Sequence, residues 1–394
     1  MDRSELVELL SPEGLRLLDS LPPYEPASDV VKMVSDLRKA GHAPGLVSAV
    51  LSQSKLRAKA VPKFGEFASR MLFTEAGLEQ ATRLKVAALH AGRFAAAGLT
   101  RVADLGSGIG GDALALAAMD LIVTAVDADE VTAAIASFNL APFPAATVVH
   151  SDAESFDLSE CDAAWLDPAR RTSGHSNTSR LNPEDYSPSL NFVFDLAKRL
   201  PIGVKLGPGH DRDQIPAEAE AQWISVNGAL VEMGLWFGVL ARDGIRRAAL
   251  VLRPEGPAEL TAAADSEDAA VVPLGEYLYE PDGAVIRARL IGDLARSLDA
   301  GMLSEGIAYL TAETVQHTPF ATAFRVLDVL PFDEKKLRLA LAERGIGTLE
   351  IKKRGVDIDP ATLRTRLKLK GTTSATLILT RAAGHRVALL VERV

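Results

Sequence analysis

The chain has 394 residues, enough for two or three domains, and its 47% hydrophobic and 24% charged residues exclude a disordered chain. A single cysteine, Cys161, excludes an intramolecular disulfide and a cysteine-built zinc cluster. The formal net charge of −9 is uneven, because residues 331–394 carry 14 Lys and Arg against 7 Asp and Glu, so one end of an acidic protein presents a basic surface.

No apolar run approaches the eighteen or so residues of a membrane span, and the N-terminus lacks a basic leader followed by an apolar stretch, so a cytoplasmic protein without a membrane partner is expected. Helical patterns cover residues 4–10, 29–39 and 44–58, with Pro22, Pro23 and Pro26 separating the first two and Pro44 suited to a first helical position. Residues 73–82 lead into an alanine-rich helix ending near Ala97, with Thr74 as a candidate cap. Glu79 and Gln80 then either reach a bound ligand or merely decorate the helix start. Lys55, Arg57, Lys59 and Lys63 form a second basic stretch.

From Val102 to Leu105 an apolar strand runs into Gly106-Ser107-Gly108-Ile109-Gly110-Gly111 and then into a helical pattern at 113–118. Glycines let the backbone turn tightly and approach a ligand, so this is a nucleotide-binding turn. Gly106, Gly108 and Gly111 also satisfy G-x-G-x-x-G, which keeps a dinucleotide oxidoreductase in consideration. Three acids bear on the choice, and Asp104 and Asp152 weigh against the oxidoreductase. Asp104 is expected to face the ligand, where it would repel a pyrophosphate but suit the cationic S-adenosylmethionine. A second strand, 121–126, ends at Asp127, placed to accept hydrogen bonds from ribose hydroxyls, which either cofactor would use. A third strand, 146–150, is followed by Asp152, placed for an adenine amino group.

Strands at 163–166 and 202–206, with a helix at 190–200 between them, continue a doubly wound α/β pattern whose ligands bind at carboxyl strand ends. Asp167-Pro168-Ala169-Arg170 follows the fourth strand. The polar, basic loop 171–180 reads as a mobile cover or as a plain solvated loop. Lys205 or His210 could line the pocket rim. Asn227-Gly228 between strand-like segments signals a type I′ hairpin. Further strands are expected at 234–240 and 247–252. The alanine- and acid-rich segment 257–268 reads as a domain boundary. Beyond Pro331 the pattern is helix 333–344, strand 347–354, helix 359–367, strand 375–380 and strand 387–391. The histidines have no metal-ligand spacing, and methyl transfer from a sulfonium requires no metal, so none is expected.

The order Asp-x-Gly-x-Gly-x-Gly, Asp127, Asp152 and Asp167-Pro168-Ala169-Arg170 resembles class I S-adenosylmethionine-dependent methyltransferases over about Thr100 to Pro254. With the C-terminal run Gly347 to Gly355, the chain looks like the actinobacterial members that carry a THUMP-like C-terminal domain. The resemblance implies a Rossmann-like, seven-stranded α/β domain at 96–256, a helical domain at 1–95, an α/β connecting region at 257–330 and a THUMP-like domain at 331–394. It implies S-adenosylmethionine held by Asp104, Gly106, Gly108, Gly110, Asp127, Ala128, Asp152, Ala153 and Gln80, and catalysis by Asp167, Pro168 and Arg170. In amine-methylating relatives the fourth strand is followed by an acid or asparagine, two prolines and an aromatic. This chain keeps the acid and first proline, and Ala169 and Arg170 replace the rest. THUMP domains elsewhere bind RNA, so Lys352, Lys353, Arg354, Arg364, Arg366 and Lys368 become candidate phosphate contacts and a tRNA or rRNA the expected partner. The alternative is a non-catalytic RNA-binding protein that keeps the fold. Oligomeric state is not legible.

Overall fold

The computed structural model describes residues 1–25, 30–170 and 183–394. The chain divides into two compact units, residues 1–206 with 236–241, and residues 207–235 with 242–394.

The first unit opens with helices α1 (Arg3–Leu9), α2 (Pro12–Ser20), α3 (Val30–Lys39), α4 (Pro44–Phe64), α5 (Glu75–Gln80) and α6 (Leu84–Ala96). Helix α2 is absent from the expected elements, although its start signal is present: Ser11 accepts the Gly14 N–H and Pro12 occupies the first turn. Strand β1 (Arg101–Leu105), helix α7 (Gly111–Ala117), strand β2 (Ile122–Asp127), helix α8 (Glu130–Leu140) and strands β3 (Ala146–His150) and β4 (Ala163–Leu166) follow. A short ribbon of β5 (Ala169–Arg170) and β6 (Tyr186–Ser187) precedes helix α9 (Leu190–Ala197) and strand β7 (Ile202–Leu206). The five longer strands are parallel in the order β7-β4-β1-β2-β3. The chain therefore winds outward from β1 through β2 to β3, then reverses to β4 and β7, creating a topological switch point between β1 and β4.

One core joins the helices to this sheet. Leu6, Leu46, Phe64 and Phe94 share it with Val102, Leu114, Val123 and Trp165, so no packing break falls at residue 95. Short, wholly apolar strands such as β4 (Ala163-Ala164-Trp165-Leu166) are buried on both faces, as parallel strands are. Trp165 packs against Trp236, with ring centroids 5.5 Å apart, and Gly203 provides the space. A Cβ at Gly203 would lie 2.6 to 2.8 Å from the two indoles.

The second unit contains β8 (Glu220–Val226), most of β9 (Ala229–Trp236), β10 (Arg247–Arg253) and β11 (Gly256–Ala262). The β8–β9 turn holds Asn227 at φ 51° and Gly228 at φ 79°, as the Asn-Gly signal predicts. Strand β10 pairs antiparallel with β11, so the expected boundary at 257–268 is partly a strand. Residues 238–240 form a short 3-10 turn rather than a strand.

Next come β12 (Tyr277–Pro281), α10 (Gly283–Arg287), α11 (Ile291–Ser297), β13 (Gly301–Ser304), β14 (Ile307–Ala312), β15 (Ala321–Leu330), α12 (Glu334–Glu343), β16 (Ile346–Lys353), α13 (Pro360–Leu367), β17 (Thr373–Ala382) and β18 (His385–Arg393). The strands form a seven-stranded sheet in the order β13-β14-β12-β15-β18-β17-β16. The expected division at 330/331 falls at the end of β15, which pairs with β12 before it and β18 after it. Sheet hydrogen bonding thus carries the connecting region into the C-terminal fold. Asp333 and Asp359 cap α12 and α13, which cover Leu349, Ile351, Leu377 and Leu379.

Candidate active site

The candidate residues gather at the carboxyl ends of the parallel strands in the first unit. Each glycine has its own task in the turn after β1. Gly106 (φ +83°) leaves room for Asp167, whose carbonyl oxygen would stand 3.2 Å from a Cβ there. Gly110 (φ +82°) is the left-handed residue that starts α7. Gly108 (φ +55°) has no neighbour within 4 Å of a Cβ position, so its side faces open space above the strand ends.

Asp127 fixes this turn from β2. One carboxylate oxygen accepts the Gly108 N–H at 2.9 Å and the other accepts the Asp129 N–H at 2.9 Å. Each oxygen keeps a second lone pair for a hydroxyl. Burial raises the Asp127 pKa, partly offset by these two donors. Ala128 is exposed, and its carbonyl accepts from His150 at 3.1 Å. Asp152 is also exposed and shapes its own turn by accepting the Glu154 N–H at 2.8 Å, with Ala153 half-buried between them. The turn, Asp127 and Asp152 thus border one rim, as a bound nucleoside requires.

Asp104 departs from expectation. It is 1% exposed, because both faces of β1 are covered, so its carboxylate cannot face a ligand. Burial, together with neighbouring Asp112 and Asp167, holds it well above the ordinary carboxylate range, while the Ala113 N–H works in the opposite direction. Its place is beneath the turn, at the first turn of α7.

Asp167, half-buried, stands just past β4, with Pro168 buried behind it. Lys205 on neighbouring β7 forms an ion pair with Asp167 Oδ2. The lysine Nζ also donates to the Gln80 carbonyl at 3.1 Å and to Thr82 Oγ1 at 3.2 Å. Gln80 therefore joins the site through its backbone. Thr82 donates onward to Asp112 at 2.7 Å, and His90 lies 3.2 Å from the other Asp112 oxygen, its ring 4.3 Å from that of Trp165. Burial pushes Asp112 up, but His90, Lys205 and Thr82 together outweigh it and the carboxyl sits below its ordinary value. Sequence reasoning missed Thr82, Asp112 and His90 because they join only through the docking of α6 against α7. The one available signal was an acid in the first turn of α7.

The Arg170 side chain and the 171–180 loop lie outside the described residues. His210 is buried, at 6% exposed, and belongs to the second unit. In α4, Lys63 is spent on the chain itself. It donates to the carbonyls of Leu78, Glu79 and Ala81 at 2.6 to 2.8 Å, closing the end of α5, and burial lowers its pKa to about 8. Arg57 likewise binds the Met71 carbonyl and Asp19.

In the second unit, strand alternation separates the candidate cations at 352–354. Lys352 pairs with Glu280 at 2.6 Å, and the Arg354 guanidinium lies 5.3 Å from the ring centroid of buried Tyr309. Lys353, of opposite parity, is exposed. Arg364, Arg366 and Lys368 are exposed along and after α13, Arg364 bonded to the Leu349 carbonyl and Arg366 3.5 Å from Glu334. Lys352 and Arg354 thus have partners within the fold, whereas the other four candidates are exposed.

Residues 321–393 match the family described as THUMP domain-like, and residues 2–60 match one described as a domain of unknown function (DUF8688). An uncharacterized S-adenosylmethionine-dependent methyltransferase of Mycobacterium tuberculosis, found in two strains, is 34% identical over 347 residues, covering 86% of this chain and 93% of the relative. The chain belongs to this family of S-adenosylmethionine-dependent methyltransferases. A crystal structure described as a methyltransferase from Porphyromonas gingivalis shares the fold at a TM-score of 0.73 and 19% identity, covering 100% of this chain and 99% of that one. The methyltransferase is thus an enzyme of the class I fold with a THUMP-like C-terminal region, and its cofactor is S-adenosylmethionine. Family membership sets aside both the oxidoreductase and the non-catalytic readings. The open side of Gly108 and the oriented Asp127 carboxylate fit an adenosyl group. Among the described residues, no helix is long and apolar enough to cross a membrane, and no group of three or more His, Cys, Asp or Glu is placed to hold a metal.

Proposed function

We propose that this methyltransferase modifies an exocyclic amine of a base in structured RNA, a tRNA or rRNA, with guanine the favoured base. The observation that carries the reading is the position of Asp167-Pro168 at the switch point, against Gly106 of the glycine turn. S-adenosylmethionine supplies a methyl group activated by a cationic sulfur, and the protein's task is then mainly positioning. On this reading Gly106, Gly108 and Gly110 admit the cofactor, Asp127 and Asp152 hold its ribose and adenine, and Asp167 accepts an N–H of the acceptor so that the nitrogen lone pair faces the methyl group. Pro168 keeps that side chain at the strand end. Proton loss from an amine can follow transfer, so no strong base is needed.

RNA is supported by the THUMP-like match and by the exposed cations Lys353, Arg364, Arg366 and Lys368 on one unit. The test is transfer of tritiated methyl from S-adenosylmethionine to unmodified transcribed tRNAs and rRNA fragments, followed by nucleoside mass spectrometry. Label on an amino-substituted guanosine is expected, abolished in Asp167→Ala with S-adenosylhomocysteine affinity within threefold. Label on protein or small molecules, with none on RNA, would overturn the reading.

A further inference from the structure

Strands β4 and β7 pair Ala164 with Ile202, Trp165 with Gly203 and Leu166 with Val204, and the next step along this register brings Asp167 beside Lys205. The ammonium has acceptors on three sides, Asp167 from β4 and Gln80 and Thr82 from the α5–α6 connection. Thr82 is itself anchored through Asp112 to His90. A lysine so held, with its side chain only 13% exposed, is a fixed part of the acceptor site. A carboxylate alone would recruit cations, and protonated amines such as polyamines and lysine side chains would occupy it best. Those groups carry no nitrogen lone pair. A carboxylate compensated by a fixed ammonium loses most of its attraction for a further cation yet still accepts a hydrogen bond from an uncharged N–H. The pair then presents an acceptor oxygen without net charge.

We propose that Lys205 is the specificity-determining partner of Asp167, making the acceptor site select a neutral amine and exclude an ammonium. This rests on the reading of Asp167 as the acceptor-binding group. The test compares wild type, Lys205→Gln, Lys205→Met and the double variant Asp167→Asn/Lys205→Gln. Folding is verified by thermal melting and by S-adenosylhomocysteine affinity, expected within threefold of wild type. Calorimetry of the S-adenosylhomocysteine-loaded proteins with spermidine should show at least tenfold tighter binding to either Lys205 single variant than to wild type, with the double variant returning to the wild-type value. Methyl transfer to the transcribed RNAs should fall at least tenfold in Lys205→Gln and recover at least tenfold over that level in the double variant. Equal spermidine affinity in wild type and a folded Lys205 variant would overturn the proposal, as would a double variant no more active than Lys205→Gln. If wild type methylates no RNA but the Lys205 variants gain spermidine affinity, the RNA reading fails and the role of Lys205 stands.

Discussion

Gly108→Ala isolates the cofactor cradle from the stability of the fold. Gly108 lies at φ +55°, and an added Cβ meets no protein atom within 4 Å. The cost to folding is therefore the left-handed penalty alone, about 1–2 kcal/mol, a fall of a few degrees in Tm. The same methyl group projects into the space assigned to the adenosyl group, where a clash should weaken binding at least tenfold, about 1.4 kcal/mol or more. Gly98 is the matched control, because it lies at φ +73° with an equally open Cβ position but sits between α6 and β1, at the other end of the strand. Gly98→Ala should show a similar Tm loss and unchanged affinity. The assay is isothermal titration of each protein with S-adenosylmethionine and S-adenosylhomocysteine, beside scanning calorimetry. Gly108→Ala binding both ligands within twofold of wild type would refute the placement of the cofactor over this turn.

Gly203→Ala should cost about 1–3 kcal/mol, since its Cβ meets two packed indoles rather than flexible side-chain ends, and chemical denaturation with intrinsic tryptophan fluorescence reads the loss directly. An unchanged midpoint would mean that Trp165 and Trp236 yield freely. Asp104→Asn should alter the pH dependence of the cofactor-free protein. Because the native pKa is raised, the folded state retains its proton above the unfolded value of about 3.9, so wild-type stability falls as pH rises through that window, by up to about 1.4 kcal/mol per pH unit. The variant lacks this term and should gain on wild type in denaturant titrations as the pH is raised above about 4. A constant difference across that range contradicts the buried carboxylate.

The sequence by itself determined the local elements around the site. Glycines at 106, 108 and 110, an acid ending β2 and an acid after β4 are signatures of backbone geometry and strand ends, which depend on neighbours a few residues away. The hairpin at Asn227-Gly228 and the cap at Thr74 were legible for the same reason. Tertiary structure decided which polar groups face a ligand and which face the protein. Asp104 reads like a ligand-facing acid, yet two covered sheet faces bury it. Lys63 and Lys352 read like surface cations, yet one closes α5 and the other meets Glu280. Lys205 is 38 residues from Asp167 in sequence, and only the parallel register of β4 and β7 brings their charges together. Side-chain charge is local information, but its partner is set by packing between distant strands, and that pairing separates a binding group from a structural one.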